Sequence, residues 1–242
     1  MKSTLKFFAG AAAALLAVAG SAYANPRAAE ASGADYLAAA EDLDGFHIGS
    51  YYRYQARELS HGANNLSQDT IAFVLGYDVF KWFSIYGVVG TADAELERYD
   101  YGDRDYNMVY GVGAWLNILD HDLLSNLTCE SKVRLTATAQ CTFESPEING
   151  EEYDATDLYG ALTLGIVNEL VGNKNIWPDA IGLFVGPVWS TLDSDDIDTT
   201  GDEMGFAFGL DLYVTRYVGL SFSYETYGHE DDAVNFSLNC RF

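Results

Sequence analysis

The chain contains few basic residues: 13 Lys and Arg stand against 36 Asp and Glu in 242 residues, so its formal charge is −23. This deficit argues against a nucleic-acid partner, because binding a polyphosphate needs a basic face. Beyond its N-terminus the sequence also lacks any run of 18 apolar residues. No membrane-spanning helix is therefore expected in the mature protein.

Several short motifs that would indicate a catalytic or nucleotide-binding site are missing as well. The sequence has no phosphate-binding loop, no nucleophile elbow and no paired-cysteine zinc motif. Its 49% of hydrophobic and 20% of charged residues nevertheless predict a folded chain rather than a disordered one. The sequence therefore does not favour catalysis, and no cofactor is expected from these motifs.

The N-terminus has the pattern of an export signal. Lys2 and Lys6 precede an apolar stretch at 7–20, and the small-residue sequence Ser21-Ala22-Tyr23-Ala24 follows it. We interpret residues 1–24 as a signal peptide, because the apolar stretch is short for an anchor helix and ends in a cleavage-type sequence. Residues 25–45 are Ala-rich and acidic, which predicts a tether with room for one short helix.

From Phe46 onward the dominant pattern has a period of two, which is typical of β-strands. In 106–118, for example, Met108, Tyr110 and Val112 share one face and Asn107, Gly111 and Gly113 the other. This alternation predicts ten strands, near 46–55, 68–78, 83–92, 106–118, 131–143, 156–168, 179–190, 204–215, 218–227 and 233–242. Most have a length suited to a tilted strand that crosses a bilayer.

The connections between these strands differ in length. Those near 79–82 and 215–217 are very short, whereas several others are long and polar. An even strand count places both ends of the chain at the same end of the barrel, with short turns there and long loops opposite. The expected fold is therefore all-β: one closed antiparallel transmembrane barrel over 46–242, with ten strands, or eight as the alternative.

Which face points inward distinguishes a membrane barrel from a soluble one, because the two architectures share this pattern. The polar face is rich in Gly, Ser, Thr and Asn, and small residues suit a narrow lumen. Its charges also balance, which a packed lumen requires because a lone buried charge is costly. These predicted lumen charges are Arg53, Lys132, Arg134 and Arg241 against Asp78, Asp157, Asp211 and Glu225.

The chain resembles the small outer-membrane β-barrel proteins of Gram-negative bacteria, of the OmpA/OmpX and porin-like type. The resemblance is carried by Ala22-Tyr23-Ala24 and by the alternating final strand from Val234 to Phe242. It implies a location in the outer membrane, in contact with its lipid and with lipopolysaccharide. It also implies that Phe242 is part of the signal that the barrel-assembly machinery recognises.

Acidic residues are concentrated in three long loops, at 93–105, 144–157 and 193–203. The simpler interpretation is a solvated, self-repelling surface. The alternative is a loop-bound Ca²⁺ or Mg²⁺, since hard cations prefer carboxylate oxygens. The candidate ligands are Asp193, Asp195, Asp196, Asp198 and Asp202. A helix-loop-helix site is excluded, because Ala207 occupies the position that would require Glu.

The three cysteines are an odd number for an exported, oxidised protein. In an extended strand, Cys129 and Cys141 would lie about 40 Å apart, whereas a disulfide requires Cα atoms within about 6 Å. Their pairing would eliminate the fifth strand, and this alternative stays open. Cys240 lies on the apolar face of the last strand, as expected for an unpaired small hydrophobic residue.

Some barrels of this family are enzymes, and the sequence resembles them only loosely. The lipid A deacylase type has a His-x-Ser pair on a late strand, but His229 has no Ser two residues on. The omptin type needs paired acids plus a His-Asp dyad, which His229 with Glu230, Asp231 or Asp232 imitates only loosely. A structural or surface-interaction role is expected, with a small cation-preferring pore as the first alternative and a barrel hydrolase as the second.

Overall fold

The computed structural model describes most of the region after the predicted tether. The described residues are 45–58, 65–80, 82–96, 107–123, 130–145, 147–148, 151–152, 154–169, 178–194, 202–215, 217–228 and 231–242. The predicted signal peptide and all of the tether except Gly45 lie outside these residues. Among the described residues, no helix is long and apolar enough to cross a membrane.

Twelve strands occur in the described part of the chain, and their alternating side chains explain their extended form. They are β1 Phe46–Glu58, β2 Asn65–Phe80, β3 Phe83–Leu96, β4 Asn107–Asp122, β5 Glu130–Glu144, β6 Glu147–Ile148, β7 Glu151–Glu152, β8 Ala155–Glu169, β9 Ala180–Ser194, β10 Asp202–Thr215, β11 Val218–Tyr227 and β12 Asp232–Arg241. The two-residue strands β6 and β7 pair only with each other.

The other ten strands form a closed barrel in which every neighbouring pair is antiparallel. The first strand closes the ring by pairing with the last, from His47 opposite Arg241 to Ala56 opposite Asp232. The ten-stranded prediction is therefore confirmed and the eight-stranded alternative is wrong. In the ring order, β1 and β8 are five strands apart in either direction, so they lie on opposite sides of the lumen.

One end of the barrel carries the short turns, and we call it the short-turn end. Residues 81–82 join β2 to β3 there, and 216–217 join β10 to β11. The backbone N–H of Phe242 donates to the carbonyl of Phe46 across 2.9 Å, so the first and last strands meet at this end. The opposite end, which carries the loops after β1, β3, β5, β9 and β11, is the long-loop end.

The strands are longer than the predicted ones at several places. At the long-loop end, β1 continues to Glu58, β2 begins at Asn65 and β3 continues to Leu96. The ladder pairs Arg57 with Leu66 and Glu58 with Asn65, so these ends belong to the barrel wall. Backbone pairing holds residues in strands here even though their side chains are polar, and this was not evident from hydrophobic alternation.

A β-bulge interrupts the alternation near the short-turn end of β4. The register shifts between Asn117 and Leu119, so Ile118 and Leu119 both point outward and are 50% and 48% exposed. The bulge reverses the parity of the strand, as expected when one extra residue is inserted into a ladder. It turns Asp120 into the lumen, opposite Arg134.

The ladder between β8 and β9 is interrupted in the middle of both strands. Paired residues run from Ala155 opposite Ser194 to Ala161 opposite Val188, and pairing resumes only at Leu164 opposite Val185. Pro187 lies within the gap. Because proline has no backbone N–H, it cannot donate to the carbonyl of the neighbouring strand. This seam therefore lacks ladder bonds halfway along its length.

Candidate functional site

The outer and inner faces of the barrel differ sharply in polarity. Large apolar side chains on the outer face are exposed, such as Val112 at 63% and Phe206 at 61%. Charged side chains on the inner face are buried, including Arg57 and Glu225. A soluble barrel would have the opposite distribution. Hydrocarbon therefore has to surround the outer face, and the lumen is the candidate functional site.

Glu225 is the centre of one lumen cluster near the long-loop end. Its carboxylate accepts hydrogen bonds from Tyr227 at 2.8 Å, Asn235 at 2.9 Å and Tyr159 at 3.0 Å. The guanidinium of Arg53 adds an ion pair at 3.3 Å and also lies 5.0 Å from the centre of the Tyr159 ring. Four donors on one carboxylate compensate for its removal from water.

A second cluster lies closer to the long-loop end. Arg57 on β1 pairs with Asp157 on β8 at 3.1 Å and also donates to Ser190 on β9. The Ser190 hydroxyl donates to the same carboxylate at 3.2 Å. Since β1 and β8 face each other across the barrel, this ion pair bridges the full width of the lumen.

Two further contacts connect distant strands through the interior. The amide of Gln68 on β2 donates to Glu144 on β5 at 2.5 Å. Gln140 on β5 donates to the hydroxyl of Tyr51 on β1 at 3.3 Å and accepts from Tyr86 on β3 at 3.2 Å. Side chains therefore occupy the lumen between these strands.

The short-turn half of the lumen contains separate ion pairs. Asp78 contacts Arg241 and accepts from Ser84, and His47 lies 3.7 Å from the same carboxylate. In a neighbouring group, Asp120 lies 3.5 Å from both Lys132 and Arg134. Cations and carboxylates therefore alternate along the lumen instead of forming a single-sign channel lining.

Glycines on the inner face make room for aromatic rings. Tyr86 lies over Gly113, and Phe184 lies over Gly209. A β-carbon at either glycine would collide with the ring above it. Small residues on the inner face therefore allow large side chains from neighbouring strands to fill a narrow lumen.

The structure places the predicted lumen charges as follows. All eight lie on the inner face of the barrel, as shown by the strand registers for Arg53, Asp78, Lys132, Arg134, Asp157, Asp211, Glu225 and Arg241. They do not form one network, since Arg53 and Glu225 lie in one cluster and Asp78 and Arg241 in another. Asp211 lies opposite Ser221.

Sequence reasoning missed three lumen residues that make important contacts: Arg57, Asp120 and Glu144. Arg57 and Glu144 lie just beyond the predicted strand ends, although continued alternation from Arg53 and from Thr142 would have included them. Asp120 enters the lumen only because of the bulge in β4. No pattern of period two could have indicated that position.

The metal candidates are only partly covered by the structure. Asp193 and Asp202 are exposed at the long-loop end, whereas Asp195, Asp196 and Asp198 lie outside the described residues. Within the described ranges, no group of three or more His, Cys, Asp or Glu side chains could hold a metal ion. The catalytic candidate His229 also lies outside the described residues.

The cysteines and the last residue belong to the wall. Cys141 lies on the outer face of β5 and is a free thiol, as is the buried Cys240 on β12, while Cys129 lies outside the described residues. Phe242 follows β12 at the short-turn end and is 41% exposed.

Comparison with known proteins gives similarity of fold only. No protein-family model matches the chain, and no curated protein matches it significantly. Among solved structures, the transport unit of the autotransporter AIDA-I from Escherichia coli is 12% identical, with 84% of this chain and 91% of that chain covered and a TM-score of 0.47. The β-domain of the Bordetella autotransporter BrkA is 12% identical, with 82% and 99% covered and a TM-score of 0.46.

A third solved structure, neisserial surface protein A, is 9% identical, with 84% of this chain and 100% of that chain covered and a TM-score of 0.36. The architectural class of this chain follows from its own geometry. Its ladder is closed without a free edge, as backbone in hydrocarbon requires, its outer face is apolar and its charges are enclosed. The chain is therefore a transmembrane antiparallel β-barrel of the outer-membrane type.

Proposed function

We propose that this chain is an outer-membrane barrel with a structural and surface-interaction role, and that its lumen is closed by its own side chains. The observation that supports this proposal is the ion pair of 3.1 Å between Arg57 and Asp157. Together with the Gln68–Glu144 bond, it links strands that are not neighbours. A conducting pore would need these connections to be absent or displaced.

The burial of the lumen charges supports the same role. Arg57, Glu144 and Glu225 are all buried, although they lie in the half of the lumen nearest the long loops. In a water-filled channel, such side chains would be hydrated and accessible to ions. In this proposal the acidic loops form the surface that meets lipopolysaccharide and external partners. The binding of Ca²⁺ or Mg²⁺ by these loops stays a prediction, which calorimetry with the cation tests.

Conductance through planar bilayers tests this proposal. The purified full-length chain is expected to insert without stepwise current in concentrated potassium chloride. Heat-modifiable migration in detergent gels shows in parallel that the protein is a folded barrel, and its recovery with the lipid after reconstitution shows insertion, so that an absence of current is not mistaken for misfolded or uninserted protein. Stepwise, cation-preferring currents from inserted protein would overturn the closed lumen in favour of the small pore.

The absence of catalysis is part of the proposal. His229→Ala is expected to leave lipid and peptide turnover by purified protein at background, with wild-type protein as the reference. A turnover that wild-type protein shows and the variant loses would assign a hydrolase instead. Fractionation of the expressing cells tests the location, since the protein is expected in the outer-membrane fraction of a Gram-negative cell.

A further inference from the structure

The seam between β8 and β9 is interrupted in the middle of both strands, where the surrounding lipid is hydrocarbon. Its ladder stops at Ala161 opposite Val188 and resumes at Leu164 opposite Val185. The ladders on either side, of β5 with β8 and of β9 with β10, pass this height without a break. Hydrocarbon supplies no water to replace the donor that Pro187 lacks. Separating β8 from β9 here therefore breaks fewer hydrogen bonds than separating either neighbouring pair.

The lumen side of the gap does not compensate for this loss. Gly186 has no side chain, and a β-carbon at this position would collide with the carbonyl oxygen of Leu162. The hydroxyl of Thr163 shares a hydrogen bond of 2.7 Å with Thr136 on β5. Thr163 therefore fastens β8 to β5, on the side away from β9.

The two surfaces that meet at the gap are apolar. Outside, Leu162 is 41% and Val185 52% exposed. Inside, a buried apolar cluster lies behind the seam. It consists of Val188, Ala207, Tyr227 and Ala233, with Tyr159 and Ala161 packed against it. The eight residues 161–164 and 185–188 carry no charge. Parting the strands here therefore moves no charged group into hydrocarbon, and the desolvation of a charge does not oppose it.

Closer to the long-loop end, one set of side chains holds both edges of the seam. Ser190 on β9 donates to Asp157 on β8 at 3.2 Å. Arg57 on β1 pairs with Asp157 at 3.1 Å and also donates to Ser190. We call these three residues the strap. Since β1 lies on the far side of the lumen from β8, the strap ties both edges of the seam to the opposite wall.

We propose that the β8–β9 seam is a lateral gate, which opens at mid-membrane between the apolar cluster and the surrounding lipid, and that the strap keeps it closed. The open gate admits an apolar chain from the lipid, because both of its faces are apolar. This device goes beyond the structural role proposed above. It belongs to the wall and not to the axis of the barrel, so a conductance measurement along the axis does not decide it.

Thiol labelling in vesicles tests the gate. In the full-length chain, Cys129, Cys141 and Cys240 are first replaced by alanine, and Ala161→Cys then places one thiol on the lumen face beside the gap. Phenylmercuric acetate reaches this thiol through the lipid, whereas p-chloromercuribenzenesulfonate stays in water. Intact mass spectrometry follows both reactions. When opening is fast relative to labelling, the labelling rate follows the population of the open state.

The matched control is Ala72→Cys, the same substitution at the middle of β2. Ala72 is fully buried, and β2 lies opposite β9 in the ring order. A thiol there reports access along the axis but not through the seam. Heat-modifiable migration confirms that each variant is a folded barrel.

Two further substitutions shift the gate in opposite directions. Ser190→Ala removes one bond of the strap and leaves the Arg57–Asp157 pair in place. It is expected to raise phenylmercury labelling of Ala161→Cys about fivefold, which corresponds to about 1 kcal/mol. Pro187→Ala restores the missing donor and is expected to lower that labelling by a similar factor. Neither should change labelling of Ala72→Cys.

The control for the strap is Ser223→Ala, which removes a lumen hydroxyl that accepts from Asn235 on the neighbouring strand. It should leave labelling of Ala161→Cys unchanged.

Three results would overturn the proposal. Equal effects of Ser190→Ala and Pro187→Ala at both thiols, or no effect at either, would show that the seam does not open separately from the rest of the barrel. Equal rates of the two reagents at Ala161→Cys would show entry from water along the axis. An increase with Ser223→Ala as large as with Ser190→Ala would remove the strap as the lock.

Discussion

Arg57 and Asp157 form an ion pair of 3.1 Å between β1 and β8, two strands on opposite sides of the barrel. The pair crosses the lumen where the wall alone would leave space. Both side chains are largely shielded from solvent, at 6% and 16% of their full exposure. Each therefore depends on the other for the compensation of its charge.

Removal of Arg57 alone is expected to be costly. Arg57→Ala leaves the Asp157 carboxylate buried without its cation and should lower the free energy of unfolding by about 3 kcal/mol. The double variant Arg57→Ala/Asp157→Ala should lose less than the sum of the two single variants. Urea unfolding in lipid vesicles measures these free energies. Asp193→Ala, at an exposed position, is the control and should leave the free energy of unfolding unchanged. Additive losses would contradict a direct pair.

Glu225→Gln keeps the shape of the side chain but removes its charge. The amide nitrogen would face donors from tyrosine and asparagine, and Arg53 would lose its counterion. We expect a loss of about 2 kcal/mol in unfolding free energy, larger than for the single-bond variant Gln68→Leu. If both variants unfold at the same urea concentration, the cluster around Glu225 is not cooperative.

Val112→Arg tests the orientation of the wall. Val112 is outward and 63% exposed halfway along β4, so an arginine there would lie in hydrocarbon and cost about 2–4 kcal/mol. Asp193→Arg at the long-loop end, near the interface, should cost at most about 1 kcal/mol. Reversed values, with the larger loss at Asp193, would mean that lipid does not surround this face. Unfolding in vesicles measures both.

Pro187→Ala is expected to repair the interrupted seam. Alanine supplies the N–H that the carbonyl of Leu162 lacks, so the barrel should gain about 1 kcal/mol. Hydrogen exchange should slow at the backbone amide of Leu162, which faces this seam. Pro178→Ala, outside the strands, is the control and should change neither quantity. Faster exchange at the seam in Pro187→Ala would show that proline is not the cause of the gap.

Phe242→Ala tests the prediction that the final strand carries an assembly signal. Phe242 is exposed at the end of the barrel, so its loss should affect recognition more than stability. We expect a severalfold lower yield of inserted protein in cells, while unfolding of purified protein changes by less than about 0.5 kcal/mol. Unchanged insertion in cells would separate Phe242 from assembly.

Much of the barrel was evident from the sequence because side chains in a strand alternate between two faces. Met108, Tyr110 and Val112 were predicted on one face, and all three are exposed on the outside. The ten-strand count followed from the same alternation. The strand ends near Arg57 and Glu144 were missed, since polar residues continue the ladder there without a hydrophobic signal.

The bulge in β4 and the gap beside Pro187 were also beyond sequence reasoning. A bulge shifts the register of pairing by one residue, and this register depends on the neighbouring strand as well as on the strand itself. Pro187 was visible in the sequence, but a proline shows only that a donor is missing. The structure shows that the missing donor faces β8 and not β10, where Pro187 still pairs with Phe206.

By itself, the sequence determined that strands form and that the chain is strongly acidic. It also determined that one face of each strand is apolar and that the other carries small or charged residues. Only the tertiary structure decided which charges meet, because closing the ring brings β1 opposite β8 although a hundred residues separate Arg57 from Asp157. Pairing energies fall steeply with distance and solvent exposure, so partners depend on this closure and not on spacing along the chain.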